Sequence, residues 1–87
     1  MAVVVLPGSL VVLFPGAERK VEVDGSTVAE LIDGLDRRWP GVRDRLCERG
    51  SALREFINVY VDGLPAGLET LVATGSTVHI LPAVAGG

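Results

Sequence analysis

Residues 27–39 constrain the fold more than any other stretch of this chain. Val28, Leu31, Ile32, Leu35 and Trp39 recur at i, i+3, i+4, i+7 and i+11, which draws a single apolar stripe along a helix. Thr27 and Glu30 stand at the capping-box spacing, where a threonine hydroxyl and a glutamate three residues on satisfy each other's orphan amides. Pro40-Gly41 stops the pattern. The outer face is polar at Glu30, Asp33, Arg37 and Arg38. A lone amphipathic helix of about three turns cannot bury its own stripe, so the rest of the chain must supply a sheet to cover it.

Strand patterns lie on both sides of the helix. Residues 2–6 are a short β-branched run, and residues 19–23 alternate, with Val21 and Val23 on one face and Lys20 and Glu22 on the other. Together they predict a hairpin with a long connection, residues 7–18. A shorter helical segment is expected over residues 42–48, where Val42 and Leu46 are four apart. Residues 56–61 alternate most clearly: Ile57, Val59 and Val61 share one face and Phe56, Asn58 and Tyr60 the other, before Asp62-Gly63 turns the chain. Leu68 and Leu71 read as isolated apolar anchors in a connection with room for a short strand. Gly75-Ser76 introduces the final strand, residues 77–81, with Val78 and Ile80 on one face and Thr77, His79 and Leu81 on the other.

This order predicts an α+β domain of the β-grasp, ubiquitin-like type. Its mixed four- to five-stranded sheet carries one main helix on one face, and its first and last strands form the central parallel pair. The helix supplies the crossover that parallel neighbours need. Residues 1–81 form the domain, and residues 82–87 leave it as a flexible tail.

Composition narrows what such a domain can do. Eighty-seven residues bury only about 60% of the surface of the unfolded chain. One cysteine, Cys47, closes no disulfide within the chain, and with a single histidine, His79, no Cys/His metal cluster can form. The domain must therefore fold on packing alone. A net charge of −3 argues against nucleic acid or an anionic membrane as partner. Residues 1–14 are uncharged and mostly apolar, but they lack a basic n-region and Pro7-Gly8 interrupts them, so a strand and a loop explain them better than an export signal. No run approaches the roughly 20 apolar residues of a membrane span. A cytoplasmic protein with a reduced thiol is expected.

Glycine is over-represented, and two of its eleven copies are Gly86 and Gly87. The tail Pro82-Ala83-Val84-Ala85-Gly86-Gly87 reaches about 20 Å when extended and carries no long or charged side chain. Without a Cβ on either final residue it can thread a narrow channel and set its carboxylate in line with the α-phosphate of ATP. The acyl-adenylate so formed can accept sulfur and become a thiocarboxylate. The ending Ile80-Leu81-Pro82-Ala83-Val84-Ala85-Gly86-Gly87 resembles that of the MoaD/ThiS sulfur-carrier family, most of all its CysO branch, as does Phe56-Ile57-Asn58-Val59-Tyr60-Val61. That resemblance implies a β-grasp fold and Gly87 as the residue adenylated and converted to the thiocarboxylate, presented by Gly86, Ala85 and Val84. It further implies no catalytic residue and no bound cofactor, with ATP used by a partner enzyme of the MoeB/ThiF type. In the CysO branch the sulfur passes to an activated serine on a cysteine synthase, and a metalloprotease releases cysteine. One departure is Thr74-Gly75-Ser76, where many relatives carry Asp-Gly-Asp.

Other residues compete for attention. Cys47 reads as a partly buried side chain rather than a persulfide carrier. His79 reads as an outward-facing strand residue without a catalytic partner. Arg37, Arg38, Arg43, Arg45, Arg49 and Arg54, interleaved with acids, read as a solvated helical face or a dock for an acidic partner. Phe56, Tyr60, His79 and Leu81 fall on the sheet face away from the helix. Either they form a docking patch for the activating enzyme, or the apolar residues 10–14 fold over them. Two function classes stay open: a sulfur carrier for cysteine, molybdopterin, thiosugar or thiazole synthesis, and a ubiquitin-like modifier or interaction domain. Lys20 is the only lysine, which disfavours chain-building conjugation.

Overall fold

The computed structural model describes residues 1–48 and 52–82. In chain order these form β1 (Ala2–Val5), α1 (Gly8–Val11), β2 (Lys20–Val23), α2 (Val28–Arg38), α3 (Val42–Leu46), β3 (Cys47–Glu48), β4 (Ala52–Leu53), β5 (Ile57–Val61), β6 (Leu64–Ala66) and β7 (Thr77–Pro82). Five strands make one mixed sheet in the order β2-β1-β7-β5-β6, and β3 and β4 pair separately. The first and last strands are the parallel centre of the sheet, with Val4 beside Val78. The fold is a β-grasp, as the element order predicts.

The α2 stripe explains the packing. Val28, Leu31, Ile32 and Leu35 are buried in one cluster with Val4, Val21, Val23, Val59, Val78 and Ile80 from the sheet. Each such aliphatic side chain contributes about 1.5–3 kcal/mol when taken from water. Trp39 is only partly buried at the helix end. Thr27 Oγ1 accepts from the Glu30 amide at 3.2 Å, as the capping box requires. The return bond differs from the expected one, because Glu30 Oε1 accepts from the amide of Ser26, at 2.8 Å, instead of Thr27. The other orphan amides of the helix start go to the connection before β7: Val28 donates to the Thr70 carbonyl and Ala29 to the Leu68 carbonyl.

That connection also corrects one expectation. Leu68 is a buried anchor, but Leu71 is 78% exposed, and Val72 is buried in its place. A backbone bridge between Leu71 and Thr27 ties the segment to the helix start, and Leu71 projects to solvent. The short strand lies earlier, at β6, which folds back on β5 through Asp62-Gly63. Both turn residues have positive φ, 49° and 86°, as a two-residue hairpin turn of type I′ demands. Asp62 then fastens the turn to β7, accepting from the Thr77 amide at 2.9 Å and the Ser76 hydroxyl at 2.7 Å. Ser76 of the Thr74-Gly75-Ser76 turn thus donates to a carboxylate.

Four strand ends shift by one residue: β1 ends at Val5, β2 begins at Lys20, β5 at Ile57 after a turn that holds Phe56, and β7 runs through Pro82. The long connection of residues 7–18 contains α1, and α3 ends at Leu46, where Cys47 turns extended into β3.

Candidate functional site: the tail exit and the open sheet face

β7 carries the chain to Pro82 in the middle of the sheet. It pairs with β5 antiparallel, Val61 opposite Val78 and Ile57 opposite Pro82, so its C-terminal end stays in register with β5 up to the last described residue. The tail residues Val84, Ala85, Gly86 and Gly87 lie outside the described residues, as does Arg49 of the arginine cluster.

Alternation along β7 and β5 sorts the other candidate residues. Val78 and Ile80 point into the core, which sends His79 and Leu81 to the opposite face. Register places Tyr60 opposite His79 and Asn58 opposite Leu81, and directly opposed residues share a face. The structure therefore brings Tyr60, His79 and Leu81 together. His79 is exposed, Tyr60 half-buried and Leu81 42% exposed. Phe56 sits in the turn before β5, at the same end of the sheet as Pro82, and is 59% exposed.

Residues 10–14 do not fold over this face. Leu10 belongs to the core, Val11 and Phe14 pack against it, and Phe14 lies next to Gly41 at the start of α3. Three of these five side chains, Leu10, Val11 and Phe14, are taken up by the core, and the sheet face is left open. Val3 and Val5 of β1 extend it beside Thr77 and His79, with Lys20 and Glu22 of β2 beyond.

Cys47 is buried opposite Leu53. Burial pushes its thiol above the ordinary cysteine value, and the nearby Arg43 and Arg54 only partly offset that. Such a thiol is a poor nucleophile. The arginines disperse: Arg43 pairs with Asp33, and Arg54 donates through Nε to the Asp44 carbonyl at 2.8 Å. Asp36 Oδ1 accepts the amides of Gly41 and Arg43 and so caps α3. Among the described residues, no three His, Cys, Asp or Glu side chains group as a metal site would, and no helix is long and apolar enough to cross a membrane.

The model of the ThiS family matches residues 4–87. The chain belongs to the ThiS family. Among relatives in the CysO branch, the sulfur carrier protein CysO of Mycobacterium tuberculosis is 37% identical over 78 residues, which cover 83% of this chain and 84% of the relative. A chain in the crystal structure of the Amycolatopsis orientalis BexX/CysO complex is 41% identical, with a TM-score of 0.87 over 100% of both chains. The small archaeal modifier protein 1 of Haloferax volcanii is 29% identical, with a TM-score of 0.75 over 95% of this chain and 97% of that one. The family match spans β1 to the final glycine and therefore includes both the sheet that presents the tail and the tail itself. These likenesses place the chain in the CysO branch of the family's ubiquitin-like domains.

The family match takes in the terminal pair Gly86-Gly87. The residues that a search for catalytic side chains would favour, Cys47 and His79, lie apart: one is buried behind α3, the other is on the open face. The terminal pair is marked by the Gly-Gly sequence alone. The signal that finds the surface around it is the two-residue alternation of β5 and β7.

Proposed function

We propose that this chain is a sulfur carrier and a protein cosubstrate, whose Gly87 carboxylate is adenylated and then converted to a thiocarboxylate. The observation that carries the reading is the ThiS-family match extending through residue 87, so that Gly86-Gly87 belongs to the shared extent of the family. The carboxylate attacks the α-phosphate of ATP and expels pyrophosphate. A hydrosulfide equivalent then attacks the acyl carbon and expels AMP. The protein contributes reach and shape: Ala83, Val84, Ala85, Gly86 and Gly87 follow a strand anchored at Pro82, and the last two residues lack a Cβ. ATP and the adenylating site belong to a partner enzyme of the MoeB/ThiF type. Tyr60, His79, Leu81 and Phe56 form the patch that this enzyme meets, an apolar rim with polar groups next to the reactive end.

Likeness to CysO favours cysteine synthesis as the destination. An acceptor such as a cysteine synthase presents an electrophilic carbon derived from serine; the thiocarboxylate sulfur displaces its leaving group, and a metalloprotease then frees the cysteine from the carrier. Free thiols and ATP both suit the cytoplasm. Molybdopterin, thiosugar or thiazole synthesis offers other acceptors for the same thiocarboxylate.

The second reading, a protein modifier, has the likeness to the archaeal modifier protein in its favour. Intact mass after incubation with ATP, the adenylating enzyme and a sulfur donor separates the two. One oxygen-for-sulfur exchange supports the carrier; adducts on target lysines, or an unchanged mass, argue against it. Mixing the thiocarboxylate form with candidate acceptors identifies the pathway.

A further inference from the structure

Residues 10–14 are too apolar for an ordinary connection, and the core accounts for only part of them. Leu10 is buried, but Val12 is 80% and Leu13 48% exposed just after α1. Leu13 lines a cleft of about 230 Å³ with Pro7, Leu10, Ile57, Pro82 and Arg45. Pro82 and Ile57 oppose each other in the β5–β7 register, and Leu81 opposes Asn58. Alternation therefore puts Leu81 on the open sheet face and Pro82 on the cleft side. Pro82, the last described residue, thus stands between two apolar surfaces.

We propose that this cleft is the second wall of the docking site for the adenylating enzyme, taking an apolar side chain of that enzyme with an acidic group against Arg45. The inference rests on the sulfur-carrier reading. Five residues follow Pro82, and fully extended they span at most about 17 Å. An acyl-adenylate must be kept from water, so the enzyme has to enclose the end of this short tail. Its surface then closes on Pro82 from both sides and covers the cleft as well as the sheet face. The charge at the rim gives the chemistry of the partner. The chain as a whole carries −3, yet the charged residue lining this cleft is Arg45, exposed on α3 and outside any ion pair among the described residues.

The test uses the whole chain with Leu13→Glu, Arg45→Glu and Leu13→Val, each checked for unchanged thermal unfolding, in the pyrophosphate-exchange assay of the adenylating enzyme. Leu13→Glu and Arg45→Glu are expected to raise KM for the carrier about tenfold while kcat at saturation stays within about twofold; losing a docking residue acts on binding and leaves the chemical step intact. Leu13→Val should behave like the unaltered chain. Arg45→Glu changes an exposed helix position and stands alone if Leu13→Glu destabilises the fold. A KM unchanged in the folded charge variants overturns the proposal, even where Leu81→Ala raises KM and the carrier reading stands. An unaltered chain that supports no exchange overturns the carrier reading, and the cleft assignment falls with it.

Discussion

Replacing Gly34 by alanine sets two known effects against each other. Gly34 lies inside α2, where alanine is favoured over glycine by about 0.8–1.0 kcal/mol. A Cβ there would stand 2.7 Å from Val23 Cγ1, nearer than side-chain carbons approach one another. Val23 cannot yield cheaply. It is 5% exposed, paired with Ala2 in the sheet, and stiff at χ1 as a β-branched residue. Either Val23 leaves its rotamer or α2 backs away from β2, loosening the contacts of Leu31 and Leu35 on the same stripe. Overpacking of this kind costs about 1–3 kcal/mol. The clash offsets or outweighs the propensity, and Gly34→Ala should destabilise the domain by up to about 2 kcal/mol. In a domain this size each kcal/mol lowers Tm by about 4–8 °C. Equilibrium urea unfolding followed by Trp39 fluorescence reads the change. Val23→Ala in the Gly34→Ala background should recover part of the loss, with a coupling of about 1 kcal/mol. A Gly34→Ala chain stabilised by the full propensity term, without coupling to position 23, refutes the close approach of α2 to β2.

Asp62 links pH to the attachment of the β5–β6 turn to β7. The Thr77 amide and then the Ser76 hydroxyl hold its carboxyl below the ordinary range. A lowered folded pKa gives stability that is present above the unfolded carboxyl value of about 3.9 and is lost as pH falls through the folded one. Asp62→Asn should therefore be less stable than the unaltered chain near neutrality, and the gap should close in acid; a gap independent of pH contradicts the assignment. Cys47, buried with a raised pKa, should react slowly with a thiol reagent at pH 8 and rapidly once urea unfolds the chain. Fast reaction of the folded protein would show an accessible thiolate. Leu81→Ala should leave folding intact and weaken activation through KM, because the side chain is 42% exposed at the tail exit; unimpaired activation removes the sheet face from the docking surface.

Legibility followed length and periodicity. α2 showed its stripe, cap and stop in full, and β1, β2, β5 and β7 each had enough β-branched or alternating residues to place them within one residue. Parallel pairing of β1 and β7 followed from the crossover that α2 provides. By contrast, α1 is four residues long and β3 and β4 two each, too short for any period to appear. β6 is Leu-Pro-Ala, and proline argues against a strand except at a sheet edge, which is where β6 lies. Leu71 misled because hydrophobicity alone suggested an anchor, whereas its backbone bridge to Thr27 left its side chain in solvent. For the site, alternation sufficed to bring Tyr60, His79 and Leu81 onto one face. The cleft beside Pro82 needs three segments far apart in the chain, around Leu13, Arg45 and Ile57, and no local pattern announces it.

The most direct test of the carrier account is to locate the sulfur. After activation with ATP, the adenylating enzyme and isotopically labelled sulfide, the C-terminal peptide is fragmented in the mass spectrometer. The account predicts one labelled sulfur in place of one oxygen on Gly87, and no labelling when Gly87 is removed from a chain that still folds. Label on Cys47, or a Gly87 carboxylate left unchanged while sulfur is transferred, would contradict it.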